Sequence, residues 1–110
     1  MGRLAAFDAA GADCLYAPLP PSIEDLAAIC AATSKPVNAL AVGPFAEFTR
    51  TDFANAGVAR ISLGSGLARV TQGALIRAAR AILGDGEFSD ILDAAPGAEV
   101  ENLLTYSEEA

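Results

Sequence analysis

The stretch that decides the fold runs from residue 13 to residue 64: DCLYAPLPPSIEDLAAICAATSKPVNALAVGPFAEFTRTDFANAGVARISLG. Three short β-type segments stand out in it, residues 13–18 (DCLYAP), 36–41 (PVNALA) and 59–64 (ARISLG), and they begin 23 residues apart each time. The segments are not alike in sequence, so the spacing is a structural rhythm rather than a copied repeat. Short, largely apolar runs are the expected form of strands buried on both faces.

Helical patterns fill the gaps. Residues 4–10 are rich in alanine and stop at Gly11. Ser22 is placed to cap the next helix with Asp25 three residues on, in the manner of a capping box. Ile23, Leu26, Ala27 and Cys30 then follow the i, i+3, i+4, i+7 pattern of a buried helix face. Val42-Gly43-Pro44 interrupts the third connection, Phe45 and Phe48 follow, and Thr49 or Thr51 caps a short helix ending at Gly57. A longer helix is expected from a cap at Ser65, with Leu67, Val70, Ala74, Ile76 and Leu83 as apolar surface up to Gly84. Arg77 and Arg80 are expected near its negative end. Two shorter helical pieces, 88–94 and 98–106, flank Pro96-Gly97.

Strand, helix, strand, helix with connections of this length implies right-handed parallel crossovers. Three parallel strands cannot close a barrel, and a free-standing open sheet leaves two edges exposed. The expected fold class is therefore α/β, built of parallel (β/α) units. The expected organisation is a partial barrel over residues 1–84 and an acidic helical extension over 85–110.

Composition narrows the function. Hydrophobic residues make up 53% of the chain, which excludes disorder. Trp is absent and aromatics are few, so an aliphatic core is expected. The net charge of −7 repels phosphate backbones and anionic lipid, so neither a nucleic acid nor a membrane is an expected partner. After Arg80 there is no basic residue, while eight acidic residues follow, an expected solvated surface. No apolar run approaches a membrane span, and the first residues lack a signal-peptide pattern. A cytoplasmic protein with Cys14 and Cys30 reduced is expected. With no His, a nucleophile–His–acid triad is impossible, and two cysteines cannot close a zinc site.

In parallel α/β folds ligands sit at the carboxyl ends of the strands. That rule selects Tyr16 to Pro20, Asn38 to Gly43, and Leu63-Gly64-Ser65-Gly66. The substrate-facing candidates are Pro18, Asn38, Gly64 and Ser65. Gly64-Ser65-Gly66 opens a helix, so its backbone N–H groups either bind a carboxylate or phosphate or serve only a tight turn. Asn38 is polar within an apolar strand, and its amide either meets a ligand or bonds to neighbouring backbone. Asp13, Lys35 and Arg60 fall at strand starts and read as structural. Ser62 reads as structural as well. No catalytic residue and no metal ligand is assigned.

These segments resemble the isocitrate lyase/phosphoenolpyruvate mutase superfamily. RLAAFDAAGAD (residues 3–13) with LYAP (15–18) resembles the approach to its sixth strand. KPVNAL (35–40) is similar to its seventh, and AGVARISLG (56–64) with LAR (67–69) to its eighth strand and following helix. The resemblance covers roughly residues 3–104. It implies the C-terminal three strands and helices of a TIM-type (β/α)8 barrel. It also implies a Mg²⁺-dependent parent enzyme that makes or breaks C–C or P–C bonds in small 2-oxo or hydroxy acids through a pyruvate-type enolate, whose charge the metal stabilises.

The superfamily's metal-binding aspartates and catalytic loop belong to earlier strands, so this chain carries no cofactor of its own by that reading. Lyase members often carry Glu near the position of Pro18 and Asn near that of Leu40; both positions are apolar here. Asn38 shares a strand face with Leu40. Members also exchange their eighth helix between subunits, which implies a homo-oligomer packed through the segment from about Gly66 onward. Two functions follow. The chain is either one wall of a lyase or mutase site, inactive alone, or a non-catalytic module that self-associates or assembles with a complementary half-barrel. A small open α/β domain holding an anion at residues 64–66 is a third.

Overall fold

A computed structural model describes residues 2–105. In chain order the elements are α1 (Gly2–Ala9), β1 (Leu15–Tyr16), α2 (Ile23–Ala31), β2 (Val37–Leu40), α3 (Arg50–Asn55), β3 (Arg60–Ser62), α4 (Gly66–Gly84) and α5 (Gly97–Leu104). Two 3₁₀ turns, Gly43–Glu47 and Ser89–Asp93, complete them. Residue 106, at the expected end of the last helical piece, lies outside the described residues. The chain divides into two compact units, Met1–Leu67 and Ala68–Ala110. The division falls at the start of α4 rather than at the change in composition after Gly84.

The first unit is a three-stranded sheet in the order β1-β2-β3, with both pairs parallel. The strands are shorter than the apolar segments that contain them. Their register differs from the 23-residue rhythm: Leu15 pairs with Val37 and Asn38 with Arg60, 22 residues on in each case. Side chains alternate between sheet faces, so one residue of register decides which residues meet. Leu15, Val37, Ala39 and Ile61 point to one face. Tyr16, Asn38, Leu40, Arg60 and Ser62 occupy the other.

The first face carries the core. Leu15, Val37 and Ala39 are buried against Leu26 of α2, Phe53 of α3 and Phe45 of the first 3₁₀ turn. Both crossover helices therefore cover the same side of the sheet. The core is not purely aliphatic as composition suggests. Phe45, Phe48 and Phe53 cluster with ring centroids 5.7 to 6.3 Å apart, Phe45 stacked on Phe53 and Phe48 edge-on to Phe53. Aromatics are scarce in the whole chain but concentrated in this one connection.

Local signals set the helix ends. The Ser22 hydroxyl accepts from the Asp25 N–H at 3.1 Å and starts α2. Thr49, not Thr51, caps α3: its hydroxyl accepts from the Asp52 N–H while the Asp52 carboxylate accepts from the Thr49 N–H at 2.8 Å. That reciprocal pair satisfies two orphan helix donors. After α3, Val58 N–H returns to the Phe53 carbonyl and Gly57 N–H to the Ala54 carbonyl, each at 3.0 Å. This is a Schellman ending, with Gly57 left-handed at φ +87°. A Cβ on Gly57 would come within 3.1 Å of the Cys30 Cβ, so both the backbone and the α2 contact demand glycine there. Burial pushes the Cys30 thiol above its ordinary pKa, in keeping with a packed, unreactive cysteine.

The Thr33 hydroxyl donates to the Asp8 carboxylate at 2.7 Å and accepts from the Lys35 N–H at 3.0 Å. These bonds tie α1 to the approach of β2.

The second unit is helical. Its helices are amphipathic, yet neither α4 nor α5 has a buried residue, and Leu75, Leu83, Leu103 and Leu104 are exposed. The last turn of α4 holds no basic residue, so Arg77 and Arg80 lie outside the turn where the helix dipole acts strongly. None of the helices among the described residues is long and apolar enough to cross a membrane.

Two outcomes test this packing. Phe53 is 2% exposed at the centre of the aromatic cluster, so Phe53→Ala is expected to cost about 3–5 kcal/mol. Urea denaturation followed by far-UV circular dichroism measures it, and a loss under 1 kcal/mol contradicts the core described above. Asp52 has its pKa lowered by the Thr49 hydroxyl and then the Thr49 N–H. Its contribution is therefore present above the ordinary Asp range and lost as pH falls through the depressed folded value. The thermal midpoints of the natural chain and Asp52→Asn should differ at neutral pH and converge in acid; a gap that does not narrow refutes the capping box.

Candidate functional site

The three strands end side by side, spaced at roughly 4.8 Å per strand. Their carboxyl ends run from Tyr16-Ala17-Pro18 through Leu40 to Ser62-Leu63-Gly64. A parallel sheet presents its loops to ligands at this edge.

Pro18 is exposed and lines a cleft of about 770 Å³ with Arg3, Phe7, Tyr16, Ala17 and Pro20. The loop there is strained. Leu19, between prolines, has φ +46°, the one non-glycine residue of positive φ among the described residues. Asn38, Gly64 and Ser65 do not line that cleft. Pro18 thus stands apart from the other candidates, with β2 between its strand and Gly64.

Asn38 is 4% exposed, the one buried polar side chain among the described residues. Its amide is engaged at both ends. Arg60 Nη1 donates to Asn38 Oδ1 at 2.9 Å, and Asn38 Nδ2 donates to Ser62 Oγ at 2.9 Å. The Ser62 hydroxyl in turn donates to the Ala39 carbonyl at 3.1 Å. The partners of Asn38 are side chains of β3 rather than the neighbouring backbone. One Asn38 N–H and most of the Arg60 donors remain outside this network.

Gly64 takes φ +52° and Gly66 N–H donates to the Leu63 carbonyl at 2.8 Å, closing a tight turn into α4. A Cβ on Gly64 would sit 3.4 Å from the Leu40 side chain. The turn therefore meets the end of β2 as well as opening a helix. Ser65 is exposed at its tip.

Arg60, which reads from the sequence as structural at a strand start, is the partner of Asn38. At a spacing of 23 it falls opposite Val37 and on the face away from Asn38; at 22 it is the partner of Asn38. The available signal was the shared polarity of Asn38, Arg60 and Ser62, which fits one face only in the shorter register.

The described residues do not fit a metal. Among them, no three of His, Cys, Asp and Glu come together as a ligand set. The carboxyl edge itself offers a glycine turn and a cleft beside β1, while the Asn38–Ser62–Arg60 bonds lie within the sheet and reach its opposite end at Arg60.

Residues 1–83 match the profile of the phosphoenolpyruvate phosphomutase family. No curated protein matches the chain in sequence. Among solved structures, the chain is similar to a candidate lyase/mutase from Burkholderia cenocepacia J2315, with 35% identity and a TM-score of 0.86. That similarity takes in 96% of this chain but only 38% of the Burkholderia protein. These two likenesses agree: the chain belongs to the phosphoenolpyruvate phosphomutase family, within the isocitrate lyase/phosphoenolpyruvate mutase superfamily.

Proposed function

We propose that this chain forms one wall of a lyase or mutase site, the C-terminal three strands of a TIM-type barrel, and is inactive by itself. The observation that carries the reading is the asymmetry of the Burkholderia likeness: nearly the whole of this chain corresponds to 38% of that one. In this reading the substrate is a small 2-oxo or hydroxy acid, and a C–C or P–C bond is made or broken. Mg²⁺, held by other parts of the enzyme, would supply electrostatic stabilisation of developing negative charge. In this reading its ligands lie outside the described residues, among which no ligand set comes together. The chain's own part is to shape the carboxyl edge: Pro18 beside the β1 cleft, Gly64 and Ser65 at the turn into α4, and Asn38 holding β2 to β3. The same reading puts the enzyme in the cytoplasm.

A second reading draws support from the exposed apolar surface. Phe7 and Tyr16 are 57% and 42% exposed beside the open edge of β1. A non-catalytic module that assembles with itself or with a complementary half-barrel would use that surface.

Two measurements follow. The chain alone should give no Mg²⁺-dependent turnover of oxaloacetate, methylisocitrate or phosphonopyruvate; robust turnover of any of them overturns the first reading. In light scattering the chain should associate, and a stable monomer over a range of concentrations counts against an incomplete sheet in either reading.

A further inference from the structure

The sheet face opposite the core carries one charge. Of the residues in the three strands, Arg60 alone is ionised, and no strand contributes Asp or Glu. Its row of the sheet is Tyr16, Asn38, Arg60, and the next row is Leu40, Ser62. The guanidinium is held from one side only, by Asn38 Oδ1 at 2.9 Å, and the residue remains exposed. Asn38 cannot easily move, because Ser62 fixes its other end and the Ala39 carbonyl fixes Ser62. An aimed cation with spare N–H donors on an otherwise uncharged sheet face is suited to a carboxylate, which accepts two parallel bonds from guanidinium.

Resting on the reading above, we propose that Arg60 receives an inward-facing Asp or Glu from a complementary β/α segment of the same barrel, and that this ion pair registers the two pieces. Three observations choose that occupant. β1 and β3 are edge strands, and their outer backbone groups call for further strands. Clefts of about 500 and 770 Å³, both lined by Phe7 and Tyr16, flank the β1 edge and leave room for an added unit. The Burkholderia protein has chain beyond the matched 38% from which such a segment can come. A second copy of this chain is a poor occupant for this face, since it would bring Arg60 against Arg60.

The test co-expresses the tagged chain with the part of the Burkholderia cenocepacia protein outside the matched region. The purified complex is then diluted and its dissociation followed by mass photometry. A one-to-one complex is expected. Arg60→Gln should weaken it about 30-fold or more, as expected for truncating one partner of a desolvated charge pair. Asn38→Asp should weaken it too, because an internal carboxylate would then satisfy Arg60, whereas Arg60→Lys should retain part of the affinity. Circular dichroism of each variant separates lost docking from lost fold, and Asn38→Asp keeps the guanidinium in place should Arg60→Gln fail to fold. Failure of the natural chain to form the complex, or equal stability in Arg60→Gln and Asn38→Asp, overturns the inference. A complex that turns over substrate yet ignores Arg60 overturns this inference and leaves the proposed function standing. A complex that depends on Arg60 but never turns over substrate does the reverse.

Discussion

The parallel register of 22 residues is the constraint on which the first unit depends. It sends Leu15, Val37, Ala39 and Ile61 to one side, where Leu26, Phe45 and Phe53 meet them. The same alternation sends Asn38, Arg60 and Ser62 to the other side, where they hydrogen-bond across β2 and β3. A slip by one residue would exchange these sets, placing a guanidinium among phenylalanines and apolar side chains in the open. Burying an unpaired polar group costs several kcal/mol, so such a slip is strongly disfavoured.

The glycines and caps serve that register. Ser22 and Thr49 fix where α2 and α3 begin, and Gly57 fixes where α3 turns toward β3. Each crossover is thereby held to a set length, and the strands arrive level. Gly57 also lets α3 approach Cys30 of α2 closely, so a single residue governs both the turn and the helix contact. At the far end of β3, Gly64 does something comparable against Leu40.

Much of this was legible in the sequence. The three apolar segments, the caps at Ser22 and Thr49, the stop at Gly57 and the long helix to Gly84 are local signals, and local signals survive reading one chain alone. The parallel α/β character follows from their order, and the family from the motifs at 3–18, 35–40 and 56–69 taken in sequence. What did not follow was non-local. Counting from segment starts gave an offset of 23, because strand ends are soft in sequence and the ladder is set by cross-strand pairing. Asn38 stands out in the sequence as a polar residue in an apolar strand, and Arg60 reads as structural from its place at a strand start, but their pairing is a matter of register that neither signal carries. The aromatic cluster was missed for a different reason: overall composition conceals that Phe45, Phe48 and Phe53 fall within nine residues of chain.

Equal strand offsets also bear on how the sheet assembles. Closing either ladder ties off a loop of the same length, so chain entropy favours neither pair. Side chains break the tie. The β2–β3 connection brings the phenylalanine cluster, the reciprocal Thr49–Asp52 cap and the Asn38–Ser62–Arg60 bonds, whereas β1 contributes a two-residue strand. A nucleus at β2–β3 that then recruits β1 is the order this asymmetry dictates. In that order the two-residue strand with the exposed aromatic side chains joins a ladder that already exists.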